Sequence, residues 1–166
     1  MNKDILSRDE AIYKLKDIAE SIDFTMMATS LNDTPFHAIP MSTKKVDEDG
    51  CIWFLSGADS EHNEDILRDS KSMLLYSKPS DMTFLKVYGD ATITTNKKIL
   101  EELYTETDNL WFKGLDDPNL TAIKFQPIDA FYWEPEHNKF INFLKMGIAT
   151  LTGNEPKITS CGGLNL

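Results

Sequence analysis

Arginine is nearly absent from this chain of 166 residues: of its 17 basic residues, only Arg8 and Arg68 are arginines. No cluster of forked guanidinium groups is therefore available to grip a polyphosphate. Basic residues are outnumbered by 27 acidic ones, giving a net charge of −10 and a pI near 4.7. That balance argues against nucleic acid or an anionic membrane surface as a main partner. Cysteine occurs twice, Cys51 in an apolar run and Cys161 in polar sequence; a disulfide is not expected, and a cytoplasmic setting fits. His37, His62 and His137 stand far apart, without metal-ligand spacing. No apolar run approaches the length of a membrane span, and the opening MNKDILSRDE has no signal-peptide core. The G-x-S-x-G elbow, the G-x-x-x-x-G-K phosphate loop and the GxGxxG fingerprint are missing, which leaves no Rossmann site. No catalytic acid, base or nucleophile is named by motif. The pairs Glu101-Glu102 and Asp116-Asp117 read as solvated helix and turn residues.

What is present reads as one domain of alternating strands and short helices. Ser7 with Glu10 makes a capping box, and Ile12, Leu15, Ile18 and Ile22 form a helical stripe suited to covering a barrel opening. Phe24 to Leu31 reads as a strand. The stretch from Phe36 to Ile66 then organises the rest of the chain. It is expected to be two antiparallel strands joined by the turn Asp47-Glu48-Asp49-Gly50, followed directly by a helix. Cys51 to Leu55 is apolar almost without a break, so both its faces should be covered. Pro40 implies an edge or a bulge, because proline cannot donate to a central ladder. Ser60 and Asp59 are each suited to capping the following helix, whose N-terminus also makes a natural anion site.

Further strands are expected at Ser72–Tyr76, at Thr83–Gly89 with a continuation to Thr94, and at Thr121–Trp133. Asn96 is placed to cap a third helix through Tyr104. Phe140 to Leu151 reads as an amphipathic segment, closing the core or meeting a partner chain, and residues 154–166 as a loose tail after a domain of residues 1–153. Five or six strands with short helices favour a compact α+β, mainly β, barrel over a doubly wound sheet.

The succession His37-Ala-Ile-Pro-Met41, Ile52-Trp-Phe-Leu-Ser56, Asp59-Ser60 and Leu110-Trp-Phe-Lys-Gly-Leu-Asp-Asp-Pro-Asn-Leu120 resembles the general stress protein 26 family. These are FMN-binding split barrels related to pyridoxamine 5'-phosphate oxidase, and the resemblance runs from about Ala11 to Gly153. It implies a split β-barrel with flanking helices, assembled as a homodimer with a flavin site at each interface. It implies that Ala38, Ile39, Pro40 and Met41 line the flavin ring with Phe54, Leu55 and Ser56, and that Ser56 and Ser60 meet the FMN phosphate. It brings Trp111 and Phe112 to the site from the second protomer, although two adjacent aromatics are also ordinary core residues. Lys86 reads equally as a flavin contact or a solvent-facing residue.

The departures from the family pattern concern charge. Ile39 stands where the family carries arginine, and Glu61 and His62 where it carries lysines; a protonated His62 could replace part of one cation. The cofactor is accordingly expected as FMN held loosely, with FAD or an empty site as alternatives. The implied activity is an FMN-dependent oxidoreductase acting on a small diffusible substrate. The alternatives are a non-catalytic flavin-binding stress-response protein and a barrel that has lost its cofactor. Pyridoxine phosphate oxidation is not expected, since basic residues for a second phosphate are not evident.

Overall fold

The computed structural model describes residues 6–135, 159–164 and 166. Helix α1 (Arg8–Ser21) starts where the capping box predicts: Ser7 N–H and Oγ donate to the Glu10 carboxylate at 2.9 and 2.7 Å. Its buried face, including Ala11, Leu15 and Ile18, lies on the core that closes one side of the sheet. Strands β1 (Phe24–Thr29), β2 (His37–Ser42), β3 (Lys45–Val46) and β4 (Ile52–Gly57) follow, then α2 (Glu61–Arg68). Next come β5 (Lys71–Lys78), β6 (Thr83–Thr94), α3 (Lys97–Leu103), a 3₁₀ segment (Glu106–Leu110), β7 (Leu120–Pro135) and β8 (Thr159–Leu164). All pairings are antiparallel, in the order β2-β1-β5-β6-β7-β4-β3, with β8 also on β7. This curled sheet is an α+β, mainly β, split barrel with flanking helices, as expected.

The strand expected across Phe36–Val46 is divided. Its first part, β2, pairs with β1 (Ala28↔Ala38, Met26↔Pro40), while β3 pairs with β4 (Lys45↔Trp53, Val46↔Ile52). The cause is closure of the sheet: β2 and β3 stand at opposite ends of the strand order, so the chain crosses the gap at Thr43-Lys44. Thr43 Oγ1 is held there by the Tyr76 hydroxyl at 2.7 Å, and Lys44 N–H donates to Trp53 O. Pro40 sits on an edge strand, the position in a sheet where a residue without an N–H is tolerated.

Residues 159–164, read from the sequence as part of a loose tail, pair with Ala130–Pro135 of β7. That segment, with its two glycines, offers no alternation from which a strand could be read. The amphipathic segment Phe140–Leu151 and His137 lie outside the described residues. Inside the barrel, Phe54, Phe125, Leu74, Leu85 and Val87 are fully buried, each contributing about 1.5–3 kcal/mol for a large side chain.

Candidate functional site

The gap that β2 and β4 leave between them forms a cleft of about 330 Å³, at the small end of the roughly 300–1,000 Å³ typical of ligand sites. One wall is β2: Ile39, Pro40, Met41 and Ser42 face it, with Phe24 of β1 at the rim. Alternation along β4 decides the other wall. Leu55 and Gly57 open onto the cleft, Ser56 reaches it while remaining buried, and Phe54 points into the barrel core, outside the lining. Ala38 also lies outside it, paired with Ala28. The third side is the segment after α3 of the same chain, with Asp108, Trp111 and Phe112; the two aromatics expected from a second protomer thus already line the cleft of their own chain. Trp111 is 81 % exposed although it lines the cleft, and its neighbour Leu110 is 82 % exposed.

The hydroxyls expected at a phosphate are engaged within the chain. Thr121 Oγ1 donates to Ser56 O at 2.9 Å and accepts from Asn63 Nδ2 at 3.0 Å, so the 2.8 Å contact between the two hydroxyls takes the Ser56 proton. Asn63 Oδ1, just behind, is buried without a partner. Ser60 caps α2, accepting from Asn63 N–H at 3.3 Å and donating to Gly57 O at 2.7 Å. With that proton spent, His62 Nε2 at 3.1 Å is the donor to Ser60 Oγ. Burial pushes the His62 imidazole pKa down, only partly offset by the Asp65 carboxylate, so the ring is neutral near pH 7. Ser60 itself stands one contact behind the lining. Glu61 and Glu64 in the first turn of α2 further oppose an anion at this N-terminus.

Lys44 and Asp108 are lining residues that sequence reasoning missed. Lys44 Nζ donates to Asp108 Oδ2 at 2.7 Å and to Thr105 Oγ1 at 3.2 Å. The same carboxylate accepts from Thr105 N–H at 2.7 Å and Thr105 Oγ1 at 2.9 Å. Burial pushes the Asp108 carboxyl up, but Lys44 and the two Thr105 donors outweigh it and hold the pKa below the usual carboxylate range. The pair joins positions 64 residues apart, and the doublet Lys44-Lys45 offers no sign of it. Lys86 does not face the cleft; its ammonium lies 4.0 Å from Asp129.

The cleft therefore suits a flat apolar ring better than a phosphate. Pro40, Met41, Leu55 and the Trp111-Phe112 pair offer apolar contact, and the outer side of edge strand β2 offers backbone groups to a polar ring edge. Among the described residues, no group of three or more metal-binding side chains occurs and no helix is long and apolar enough to cross a membrane.

The model of the family described as pyridoxamine 5'-phosphate oxidase like matches residues 10–157. A solved structure assigned as general stress protein 26 from Jannaschia sp. CCS1 has a TM-score of 0.77 at 19% identity, covering 96% of this chain and 100% of that one. General Stress Protein 26 from Bacillus anthracis strain Sterne gives 0.65 at 21%, covering 73% and 92%. The general stress FMN/FAD binding protein of Xanthomonas citri gives 0.67 at 19%, covering 80% and 93%. At these identities the likeness establishes the fold. No curated protein matches the chain.

Proposed function

The chain belongs to the pyridoxamine 5'-phosphate oxidase-like family, and on that premise we propose that it binds FMN, ring first, in the cleft between β2 and β4. The observation that carries this reading is the apolar slot of about 330 Å³ formed by Ile39, Pro40, Met41 and Leu55 beside an open strand edge. The Xanthomonas citri neighbour, described as an FMN/FAD binding protein, supports it. A bound flavin supplies hydride or electron transfer to a small substrate. The residues of this chain hold and orient the ring: Met41 and Leu55 pack against it, and β2 backbone groups meet its polar edge. The neutral His62 imidazole, its one N–H spent on Ser60, would bring neither a charge nor a free donor to a phosphate beside it.

The test is titration of the purified protein with FMN and riboflavin, read as a perturbed flavin spectrum. FMN is expected to bind only moderately better, since neutral contacts contribute about 0.5–1.5 kcal/mol each. Ile39→Arg adds a charge-assisted contact worth about 1.5–3 kcal/mol, so FMN should tighten roughly ten- to a hundredfold while riboflavin changes little. A strong FMN preference in the unaltered protein, unmoved by the substitution, would show the phosphate to lie elsewhere. Failure of either flavin to bind at any workable concentration ends the cofactor reading.

The second element of the proposal is a homodimer whose partner covers the exposed Leu110 and Trp111 and completes each site. Two adjacent apolar side chains more than 80 % exposed at the rim of an apolar cleft support it. Trp111→Ala should weaken both association, by light scattering, and flavin retention. Loss of neither would assign Trp111 to ordinary surface. Reduction of the bound flavin by a reduced nicotinamide faster than free flavin marks an oxidoreductase; unchanged rates mark a non-catalytic flavin-binding stress protein.

A further inference from the structure

Charge in the cleft is governed by one contact. Among the described lining residues, the charged side chains are Lys44 and Asp108, and they are spent on each other at 2.7 Å. Both are well covered, with side-chain exposures of 13% and 14%, so solvent screens their attraction little. Thr105 completes the arrangement by donating its N–H and hydroxyl to the same carboxylate oxygen. A ligand phosphate entering the cleft must therefore compete with a preformed carboxylate for the Lys44 ammonium, and it approaches that carboxylate as it does so. Like charges brought together in a partly dry site are costly, and the gain from sharing one cation is correspondingly reduced.

We infer that Asp108 is a specificity-determining residue: by holding Lys44 it keeps the cleft electrically neutral, so that it selects aromatic ring systems with little regard to whether they carry a phosphate. The inference rests on the proposed flavin reading for its ligand class and deepens it by naming what sets the preference between phosphorylated and unphosphorylated forms. Ile39, Glu61 and neutral His62 describe cations the site lacks. Asp108 accounts for the cation that is present and yet withheld.

The experiment compares paired ligands on four proteins: the unaltered chain, Asp108→Asn, Asp108→Glu, and the double variant Lys44→Met with Asp108→Asn. The pairs are FMN with riboflavin, read by flavin spectra, and phenyl phosphate with benzyl alcohol, read by NMR titration. Asparagine retains an oxygen for the Thr105 N–H, so the turn stays capped while Lys44 loses its counter-charge. Asp108→Asn should tighten the phosphorylated member of each pair about tenfold or more at low salt, leaving the neutral member within about threefold. High salt should erase most of that gain. Asp108→Glu should keep the ratio of the unaltered protein, and the double variant should lose the gain. Equal effects on both members of a pair, or a gain that survives in the double variant, would overturn the inference. Should neither flavin bind to any of the four proteins, the flavin reading falls, and the phenyl phosphate pair alone decides whether Asp108 sets the charge preference.

Discussion

Replacing Asp65 by alanine is expected to cost about 3 kcal/mol of stability near neutral pH, lowering Tm by roughly 6–12 °C in a chain of this size. Asp65 is 1 % exposed in the middle of α2, a place where an unpaired carboxylate would be very costly. It is tolerated because several donors converge on it, Ser30 among them. Thr29 Oγ1 donates at 2.8 Å, His37 Nδ1 lies 2.7 Å away, and the Arg68 guanidinium contacts the other carboxylate oxygen. His37 and Arg68 are half-exposed or more, so water can reclaim them and their share is discounted for screening. Thr29, at 1 % exposure, cannot be rescued, and its orphaned hydroxyl accounts for about 1–3 kcal/mol. The remainder comes from untying α2 from the β1-β2 hairpin. Burial pushes the Asp65 carboxyl up, yet its hydrogen bonds from Thr29, Ser30, His37 and Arg68 outweigh this and hold it well below the usual carboxylate range. A depressed folded pKa contributes stability that is complete above the unfolded value of about 3.9 and is lost as pH falls toward the folded one. Urea unfolding at several pH values should therefore show the gap between the unaltered and Asp65→Ala proteins narrowing below about pH 4. A constant gap from pH 7 to pH 2.5 would show that the charge of Asp65 contributes nothing.

The same residue illustrates what the sequence can and cannot reveal. Asp65 reads as one more polar residue in EHNEDILR, and its partners come from β1, β2 and the far turn of its own helix. Local signals fared well because their physics is local. Ser7 with Glu10 marks the start of α1, Asn96 caps α3 through the N–H groups of Lys98 and Ile99, and Pro40 declares an edge strand. Features set by closure of the sheet were invisible. Neither the break at Thr43-Lys44 nor the docking of residues 159–164 on β7 has a periodicity of its own, since both depend on which edges are left open. Within the cleft, Ile39, Pro40, Met41, Leu55, Ser56 and His62 could be named in advance through the family resemblance, which expects Trp111 and Phe112 from a second protomer rather than, as here, from the same chain. Phe24, Ser42, Gly57, Lys44 and Asp108 could not, since nothing in their local sequence sets them apart. The ion pair that sets the local charge joins positions far apart in the sequence, which no local pattern couples.

The scaffold that holds the cleft open should prove most sensitive at Gly89. Its strand, β6, pairs with β7 from Phe84↔Trp133 to Thr94↔Ala122, with a bulge where Tyr88 faces Asp129 and Gly89 faces Pro127. The extra residue lets Pro127 sit inside a 16-residue strand, where its missing N–H would otherwise break the ladder. To accommodate this, the two backbones come so close that a Cβ on Gly89 would lie 2.2 Å from Gln126 O and 2.8 Å from Phe125 Cε1. The carbonyl is backbone and Phe125 is fully buried, so neither can step aside without parting the central pair of strands. Gly89→Ala is therefore expected to destabilise by about 3 kcal/mol or more, or to leave the protein insoluble. Gly163→Ala is the matched control, another strand glycine whose added Cβ meets, among the described residues, only Ala130 O at 4.0 Å; a change within about 0.5 kcal/mol is expected there. Chemical denaturation of the two variants side by side decides the matter. If Gly89→Ala unfolds at the same denaturant concentration as Gly163→Ala, the close approach of β6 and β7 at the bulge is not a constraint on the barrel.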